Sequence, residues 1–192
     1  AGMPEQAPAL TVNRLCGSGL QSIVSATQMI QLGDAAAAMA GGVEVMSKSG
    51  YLLLAQRWGA RMGNAKVEDM MLGALNDPFD IGHMGITAEN VASDFDISRD
   101  DMDAFAAESQ RRAAKAQAEG WFTSQITPVE IASRKTTISF DKDEYIRGET
   151  TQDKLGGLRA AFQKDGAVTA GNSSGINDGS AMLILASEQM VQ

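Results

Sequence analysis

The first fifth of the chain combines two hydrophobic patterns. Residues 9–15 have apolar positions spaced as in a short strand, and a turn at residues 16–19 follows. Residues 20–33 repeat apolar side chains at helical spacing, and residues 35–40 are continuously small and apolar, as in a buried strand of a parallel sheet. The pattern therefore predicts a strand–helix–strand unit in which Cys16 lies where the strand turns into the helix.

The middle of the chain, residues 47–168, has a different texture, with charges, scattered Met residues and Gly-rich turns. Its clearest predicted element is a helix over residues 98–119, which starts with a serine capping signature, carries Phe105 on its apolar face and ends before glycine. A second helix is predicted to start near Thr87. Short strands are predicted at residues 129–131 and 137–140. This texture indicates an inserted lobe.

The last part of the chain returns to the core. Residues 169–180 are predicted to form a polar, Gly-rich loop, and residues 181–186 are apolar enough to rejoin the central sheet. The sequence thus predicts an α/β protein whose core domain comprises residues 1–46 and 169–192, interrupted by the lobe at 47–168.

Composition excludes several classes of function. The 192 residues include 16 Lys and Arg against 24 Asp and Glu, a net charge of −8, which argues against nucleic-acid binding. The apolar runs are too short to span a bilayer, so no membrane association is expected. One cysteine and one histidine leave no disulfide framework and no zinc ligand set. A cytoplasmic, reducing compartment is expected.

Cys16 is the first candidate for chemistry. A thiol at a helix N-terminus faces unpaired backbone N–H groups, which favour the nucleophilic thiolate. Gly17 and Gly19 leave room beside the sulfur for a substrate carbonyl. The alternative is a small buried hydrophobic residue without chemistry.

His83 is the only imidazole and leaves two roles open, a base paired with Cys16 or a residue of a pocket wall. The loop at residues 171–175 is a weak phosphate-cradle candidate, because it lacks the usual glycine spacing. The acidic residues Asp100 and Asp101 are assigned to a helix N-terminal turn, not to catalysis.

Four segments together resemble the thiolase family. In order along the chain they are Val12-Asn-Arg-Leu-Cys-Gly-Ser-Gly-Leu-Gln21, Ala40-Gly-Gly-Val-Glu-Val-Met-Ser47, His83-Met-Gly-Ile-Thr-Ala-Glu-Asn-Val-Ala92 and Thr169-Ala-Gly-Asn-Ser-Ser-Gly-Ile-Asn-Asp-Gly179.

The resemblance implies a thiolase-like fold, in which an αβαβα layered half-domain carries an inserted α+β loop domain that binds CoA. It implies acyl transfer through a Cys16 acyl-enzyme, either thiolysis of 3-ketoacyl-CoA or condensation of two acetyl-CoA molecules. Coenzyme A is then a substrate, and neither a permanently bound cofactor nor a metal is expected. The family's CoA-pocket positions correspond to Leu75, His83, Met84, Arg147, Phe162, Ala170 and Ser174.

Other family motifs, Asn-Glu-Ala-Phe, Gly-His-Pro and Cys-x-Gly, do not occur in the sequence. The chain is therefore expected to be a fragment without the C-terminal thiolase domain and to be inactive by itself. Two alternatives stay open, a non-catalytic CoA-binding fragment and a ketosynthase-type condensing enzyme. Residues 57–63 resemble a segment that helps join dimers into tetramers in bacterial biosynthetic and broad-range β-ketothiolases, so a homodimer or homotetramer and short-chain substrates are expected.

Overall fold

The computed structural model describes residues 2–192 and divides the chain into two compact units. The first unit runs to Leu75 and resumes at Ile176–Gln192, and the second is Asn76–Gly175. These divisions differ from the sequence-based boundaries at residues 47 and 168. The extent of the inserted lobe as a family domain stays a prediction.

Six helices and six strands are described in residues 2–192. The helices are α1 Ser18–Gln31, α2 Met70–Leu75, α3 Met84–Asp94, α4 Arg99–Ala118, α5 Gln152–Gly156 and α6 Glu188–Val191. The strands are β1 Ala37–Val45, β2 Tyr51–Leu52, β3 Glu68–Asp69, β4 Val129–Ala132, β5 Thr137–Phe140 and β6 Asp178–Ala186. Within this described part they pair as three two-stranded antiparallel sheets, β1 with β6, β2 with β3 and β4 with β5.

The predicted strand–helix–strand unit is wrong in two respects. Residues 9–13 contain no strand, because no other described segment offers them a hydrogen-bonding edge. β1 pairs antiparallel with β6, from Ala37 opposite Ala186 to Val45 opposite Asp178. β1 is also less enclosed than a parallel core strand, since only Ala40 along it is buried. The predicted return of the chain to this sheet at residues 181–186 is confirmed.

Helix α1 packs closely on β1 through glycine. A Cβ atom on Gly42 would lie 3.2 Å from the Cα of Gly19, tighter than ordinary van der Waals contact. The Ser22 hydroxyl donates a hydrogen bond to the Gly41 carbonyl oxygen at 2.8 Å. Because Gly19 and Gly42 have no side chains, the start of α1 can lie directly against β1.

A polar contact fastens the far end of the β1–β6 ladder. The Ser47 hydroxyl and backbone N–H donate to the Asp178 carboxylate at 2.6 and 2.9 Å. These bonds, chiefly the hydroxyl one, lower the pKa of Asp178, with a smaller contribution from the nearby Lys48 charge. The carboxylate therefore stays ionised where the last strand pair ends.

The predicted helices of the second unit are confirmed with small shifts. Ser98 and Asp101 form the predicted capping box, and the hydroxyl of Ser98 lowers the pKa of Asp101. Gly120, at φ +71°, follows the end of α4. Helix α3 starts three residues before Thr87 because His83 caps it. Phe105, predicted on the apolar face of α4, is 77% exposed, so its ring is not packed against the rest of the unit.

Buried polar groups fix the end of the second unit's chain against α4. Asp103 and Thr169 are 1% and 0% exposed. Arg99 Nε and Asn172 Nδ2 donate to the two Asp103 oxygens at 2.6 and 2.9 Å. Asn172 Nδ2 also donates to the Ala167 carbonyl oxygen at 3.1 Å, and Asn172 Oδ1 accepts the Thr169 N–H at 2.7 Å. One amide side chain thus joins a helix to a loop.

Thr169 organises the same loop from within. Its hydroxyl oxygen accepts the backbone N–H groups of Gly171 and Asn172 at 3.1 and 3.3 Å. Its carbonyl oxygen accepts the Ser173 hydroxyl at 2.6 Å. Thr169 can therefore be buried while these backbone groups of the half-buried loop stay paired. No helix in the described residues is both long and apolar enough to cross a membrane.

We predict that Gly41→Ala destabilises the protein by about 2 kcal/mol or more, because its Cβ would overlap the Ala181 carbonyl oxygen on the paired strand. Urea unfolding measures the change. Gly179→Ala is the matched control, since a Cβ there meets no atom within 4 Å. Equal stability of the two variants would contradict the close approach of β1 and β6.

A second prediction concerns Asn172. Replacement by Ala removes three side-chain hydrogen bonds and leaves the buried Thr169 N–H unpaired, so we expect a loss of about 2–4 kcal/mol. Thermal and urea unfolding measure it. The exposed Asn90 on α3 provides the control substitution Asn90→Ala, which should change stability little. A loss below about 1 kcal/mol for Asn172→Ala would contradict the bridging role.

Candidate functional site

Cys16 lies on an exposed, tightly bonded turn immediately before α1. Leu15, the residue before it, has a φ of +50°, a left-handed conformation that is uncommon for a residue with a bulky side chain. The Leu15 carbonyl oxygen accepts both the backbone N–H of Ser18 at 3.0 Å and its hydroxyl at 2.7 Å. The turn therefore holds Cys16 at an exposed position directly before α1.

Neighbouring polar side chains hold this turn in place. The Ser18 hydroxyl oxygen accepts the Arg14 N–H at 2.8 Å, and Asn13 Oδ1 accepts the Leu15 N–H at 2.9 Å. The Gly17 N–H donates to the Arg14 carbonyl oxygen at 3.0 Å. Because every bond closes over four residues or fewer, the local sequence is sufficient to set the turn.

The predicted position of Cys16 directly before a helix is confirmed, since Gly17 is the N-cap and α1 starts at Ser18, but the strand predicted before it is absent from the described residues 9–15. The alternative of a small buried hydrophobic residue is wrong, because Cys16 is exposed. Exposure at a helix N-terminus gives the sulfur both access to a substrate and nearby backbone donors. The catalytic role stays a prediction.

His83 is the N-cap of α3, and its ring has a defined hydrogen-bonding state. Its Nδ1 accepts the Gly85 N–H at 3.0 Å. A nitrogen that accepts carries no proton, so the neutral ring holds its proton on Nε2. Nδ1 is then occupied and Nε2 is a donor. This geometry suits a wall residue that donates a hydrogen bond better than a general base.

The ring of His83 stacks on Phe162. Their centroids are 4.8 Å apart and the planes are inclined by 18°. Gly85 makes this possible, because a Cβ there would overlap the Phe162 ring. Two of the predicted pocket residues, 79 positions apart in the sequence, are thus in direct contact, and Met84 lies exposed between His83 and Gly85.

Phe162 belongs to a short hairpin that leads into two further predicted pocket residues. Ala160 and Thr169 form a bridge, and the Ala161 N–H donates to the Val168 carbonyl oxygen at 2.9 Å. The exposed residues Ala170 and Ser174 follow on the loop organised by Thr169. The hairpin and loop therefore present exposed side chains on a bonded backbone.

Arg147 lies against helix α4 of the second unit. Its backbone N–H donates to Gln110 Oε1 on α4 at 2.8 Å, and a Cβ on Gly148 would lie 2.8 Å from the Ala114 Cβ. The Arg147 side chain is exposed and forms no ion pair within residues 2–192. Its guanidinium is thus available to an anion from solution.

The structure brings together only part of the predicted set. His83, Met84 and Phe162 adjoin one another, and Ala170 and Ser174 continue the Phe162 hairpin. Leu75, half-buried at the end of α2, belongs to the first unit together with Cys16. Among residues 2–192, no group of three or more His, Cys, Asp or Glu side chains could hold a metal ion.

Sequence reasoning missed the buried and half-buried polar residues that support these side chains. Glu89 and Asn172 fall inside two of the family-like segments. The sequence around a glutamate on a helix or an asparagine in a loop is the same whether the side chain is buried or exposed, so it does not reveal their contacts. Arg99 and Asp103 are spaced four apart on α4, which indicates a pair but not its burial. The burial of Asp103 depends on its contact with Asn172, which is far away in sequence.

Comparisons with known proteins agree on one family. The model of the thiolase N-terminal domain matches residues 1–189. The chain is 56% identical to the beta-ketothiolase BktB of Cupriavidus necator over 185 residues, which are 96% of this chain and 47% of that protein. It is 50% identical to an acetyl-CoA acetyltransferase of Chromobacterium violaceum over 191 residues, 98% of this chain and 49% of that one.

Solved structures give the same result for the fold. The Bacillus anthracis acetyl-CoA acetyltransferase superposes with a TM-score of 0.90 at 43% identity, over 99% of this chain and 48% of that chain. Human mitochondrial 3-ketoacyl-CoA thiolase in complex with CoA gives 0.88 at 42% identity, over 99% and 47%.

The chain spans about half the length of the curated relatives it matches. The match nevertheless covers almost the whole of this chain, in sequence as well as in backbone structure. Its α/β architecture is that of the thiolase fold, and the chain belongs to the thiolase family.

Proposed function

We propose that the protein carrying this chain is a thiolase that transfers acyl groups to and from coenzyme A. The observation that carries the proposal is Cys16, an exposed thiol on a bonded turn at the N-terminus of α1, in a chain of this family. The relatives named as beta-ketothiolase and acetyl-CoA acetyltransferase favour this activity over a ketosynthase or a CoA-binding fragment without catalysis.

In the proposed reaction the Cys16 thiolate attacks the 3-keto carbon of a 3-ketoacyl-CoA. The bond between C2 and C3 breaks, its electron pair stays on C2, and C2 takes up a proton to release acetyl-CoA. The acyl group is left as a thioester on Cys16. The thiol of a second CoA then gives up its proton and attacks this thioester, and the Cys16 sulfur leaves as thiolate. The proton released from CoA balances the one taken up at C2. Condensation of two acetyl-CoA molecules is the same sequence reversed.

Backbone N–H groups near Cys16 are proposed to stabilise the oxyanion of these steps. The N-terminal turn of a helix directs its first N–H groups and the positive end of its dipole outwards. Gly17 places no side chain between them and a substrate carbonyl. Such preorganised donors lower the barrier because they need not reorient when charge develops.

The second unit is proposed to supply contacts to CoA. His83, Met84 and Phe162 present an aromatic and thioether surface suited to the pantetheine arm, and the His83 Nε2–H is free to donate to an amide oxygen. Ala170 and Ser174 extend that surface. The Arg147 guanidinium suits the phosphates or the adenine ring of the nucleotide. Leu75 is retained as a proposed contact from the family resemblance.

The proposed protein works in the cytoplasm as a homodimer or homotetramer. A nucleophilic thiol must remain reduced, which the cytoplasm provides. Support for assembly comes from residues 57–63, where Trp58 and Met62 are 88% and 98% exposed. Large exposed apolar side chains of this kind are common at subunit contacts.

We predict that Cys16→Ser in the full-length enzyme lowers thiolysis by about a thousandfold or more, because a hydroxyl is far less ionised than a thiol. CoA affinity should stay within a few-fold, since its contacts lie elsewhere. Steady-state thiolysis of acetoacetyl-CoA and calorimetric CoA binding measure the two quantities. Circular dichroism confirms that the variant is folded.

The acyl-enzyme provides an independent check of the same assignment. After exposure to acetyl-CoA and rapid acid quenching, peptide mass spectrometry should locate one acetyl group on Cys16 and none in the Cys16→Ser protein. Full activity of the Ser variant, or acetylation of a different residue as the reaction intermediate, would remove Cys16 from the nucleophilic role.

For His83 we predict that substitution by Ala raises KM for CoA substrates by more than it lowers kcat, because a wall residue contributes mainly uniform binding. His83→Asn serves as the control for the helix cap, since Asn also caps helices but cannot stack on Phe162. Both variants should show the KM effect. A loss in kcat of more than about a thousandfold at unchanged KM would indicate a general base instead.

A further inference from the structure

Glu89 is a buried acidic residue on α3 whose two carboxylate oxygens both bind backbone. It is 7% exposed. Its Oε2 accepts the Ala167 N–H and its Oε1 accepts the Val168 N–H, each at 2.9 Å. The carboxylate thus spans two consecutive peptide groups of the Phe162 hairpin, 78 and 79 residues further along the chain.

No cation accompanies this carboxylate in the described part of the chain, where the ion pairs involve other acids. The contrast with Asp103 is direct, since that buried carboxylate is paired with Arg99 at 2.6 Å. A buried charge satisfied only by backbone N–H groups depends on those groups staying in place. The contact therefore favours one position of the hairpin on α3, because a shift of the hairpin would leave the Glu89 oxygens without their N–H partners.

The hairpin backbone is also shaped to accept the carboxylate. A Cβ on Gly166 would overlap Glu89 Oε1, so the chain at this point can approach only as glycine. The Gly166 N–H donates to the Gln163 carbonyl oxygen at 3.1 Å, which closes the turn between the two arms of the hairpin. The carboxylate, the turn and the glycine fit together as one bonded arrangement.

Two contacts on the same face of α3 hold this hairpin. Gly85 and Glu89 are one helical turn apart, and both are buried. Gly85 receives the Phe162 ring, which stacks on His83, while Glu89 binds the return arm at residues 167–168. Moving the return arm would move Phe162 as well, because the Ala161–Val168 backbone bond joins the arms.

We propose that Glu89 is a positioning residue for the CoA surface formed by His83, Met84 and Phe162. This inference rests on the proposed function of that surface. Glu89 contacts no substrate; it fixes the hairpin so that the Phe162 ring lies flat on the imidazole and the following loop begins at a defined place. Its effect is therefore on the binding of CoA substrates and not on the chemistry at Cys16.

The test variant is Glu89→Gln in the full-length enzyme. Gln has the same size but presents an NH2 group to one of the two backbone N–H donors, so one bond is lost and two donors face each other. We expect KM for acetoacetyl-CoA to rise about five- to tenfold while kcat changes less than about threefold. Asp94→Asn, an exposed acid on the same helix, is the matched control and should leave both unchanged.

A double-variant cycle separates positioning from general loss of stability. If Glu89 acts through Phe162, the KM increases of Glu89→Gln and Phe162→Ala are less than multiplicative when combined. A purely structural role would lower the unfolding temperature and leave KM at the wild-type value in the folded protein. An unchanged KM, or fully multiplicative effects, would overturn the proposal.

Glu89→Asp keeps the charge and withdraws the carboxylate by one methylene, and it is measured if the Gln variant does not fold. Its KM should rise in the same direction by a smaller factor, and a wild-type KM would again overturn the positioning role. Absence of CoA-dependent thiolysis in the wild-type enzyme would overturn the proposed function itself. Wild-type turnover with an unaffected variant overturns only the role of Glu89.

Discussion

The second unit depends on the pairing of buried and half-buried backbone groups between residues 166 and 173. Unpaired peptide N–H groups in such a place each cost free energy comparable to a lost hydrogen bond, and no strand or helix is there to satisfy them. Side chains do so instead. Glu89 binds two successive N–H groups, Asn172 binds a third, and the Thr169 hydroxyl binds two more. The stacked rings and exposed loop residues of the proposed CoA surface follow from this bonding.

The first unit meets a different constraint, which is steric. Helix α1 and strand β1 approach through Gly19 and Gly42, and the Ser22 hydroxyl fixes the contact on the strand's backbone. Because the turn that carries Cys16 is closed by local hydrogen bonds and continues directly into α1, the position of the thiol follows from the seating of the helix. Gly17 leaves the space beside the thiol open, whereas the hydrogen bonds around Leu15 fix the conformation of the turn.

The features that could be predicted from the sequence alone are those determined by residues close by in the chain. The ends of α4 follow from a capping box and a glycine, and the Cys16 turn from Gly17 and the start of the apolar helix. The antiparallel pairing of β1 with β6 was not predictable in this way. The two strands are far apart in the sequence, since Val45 at the end of β1 lies opposite Asp178, 133 positions later. Glu89 was missed for the same reason, since a helical glutamate carries no local sign of burial. The family resemblance identified residues of the proposed site, but physical pattern alone would not have joined His83 to Phe162.

Amide hydrogen exchange tests most directly whether side chains hold the buried turn. The backbone N–H groups of residues 167–172 can be followed by mass spectrometry or NMR, with the exposed loop at residues 142–144 of the same unit as the internal reference. The account predicts that the amides of Ala167, Val168 and Thr169 exchange at least about a hundredfold more slowly than the reference, after correction for intrinsic rates. Exchange of these three amides at the rate of the exposed loop would contradict it.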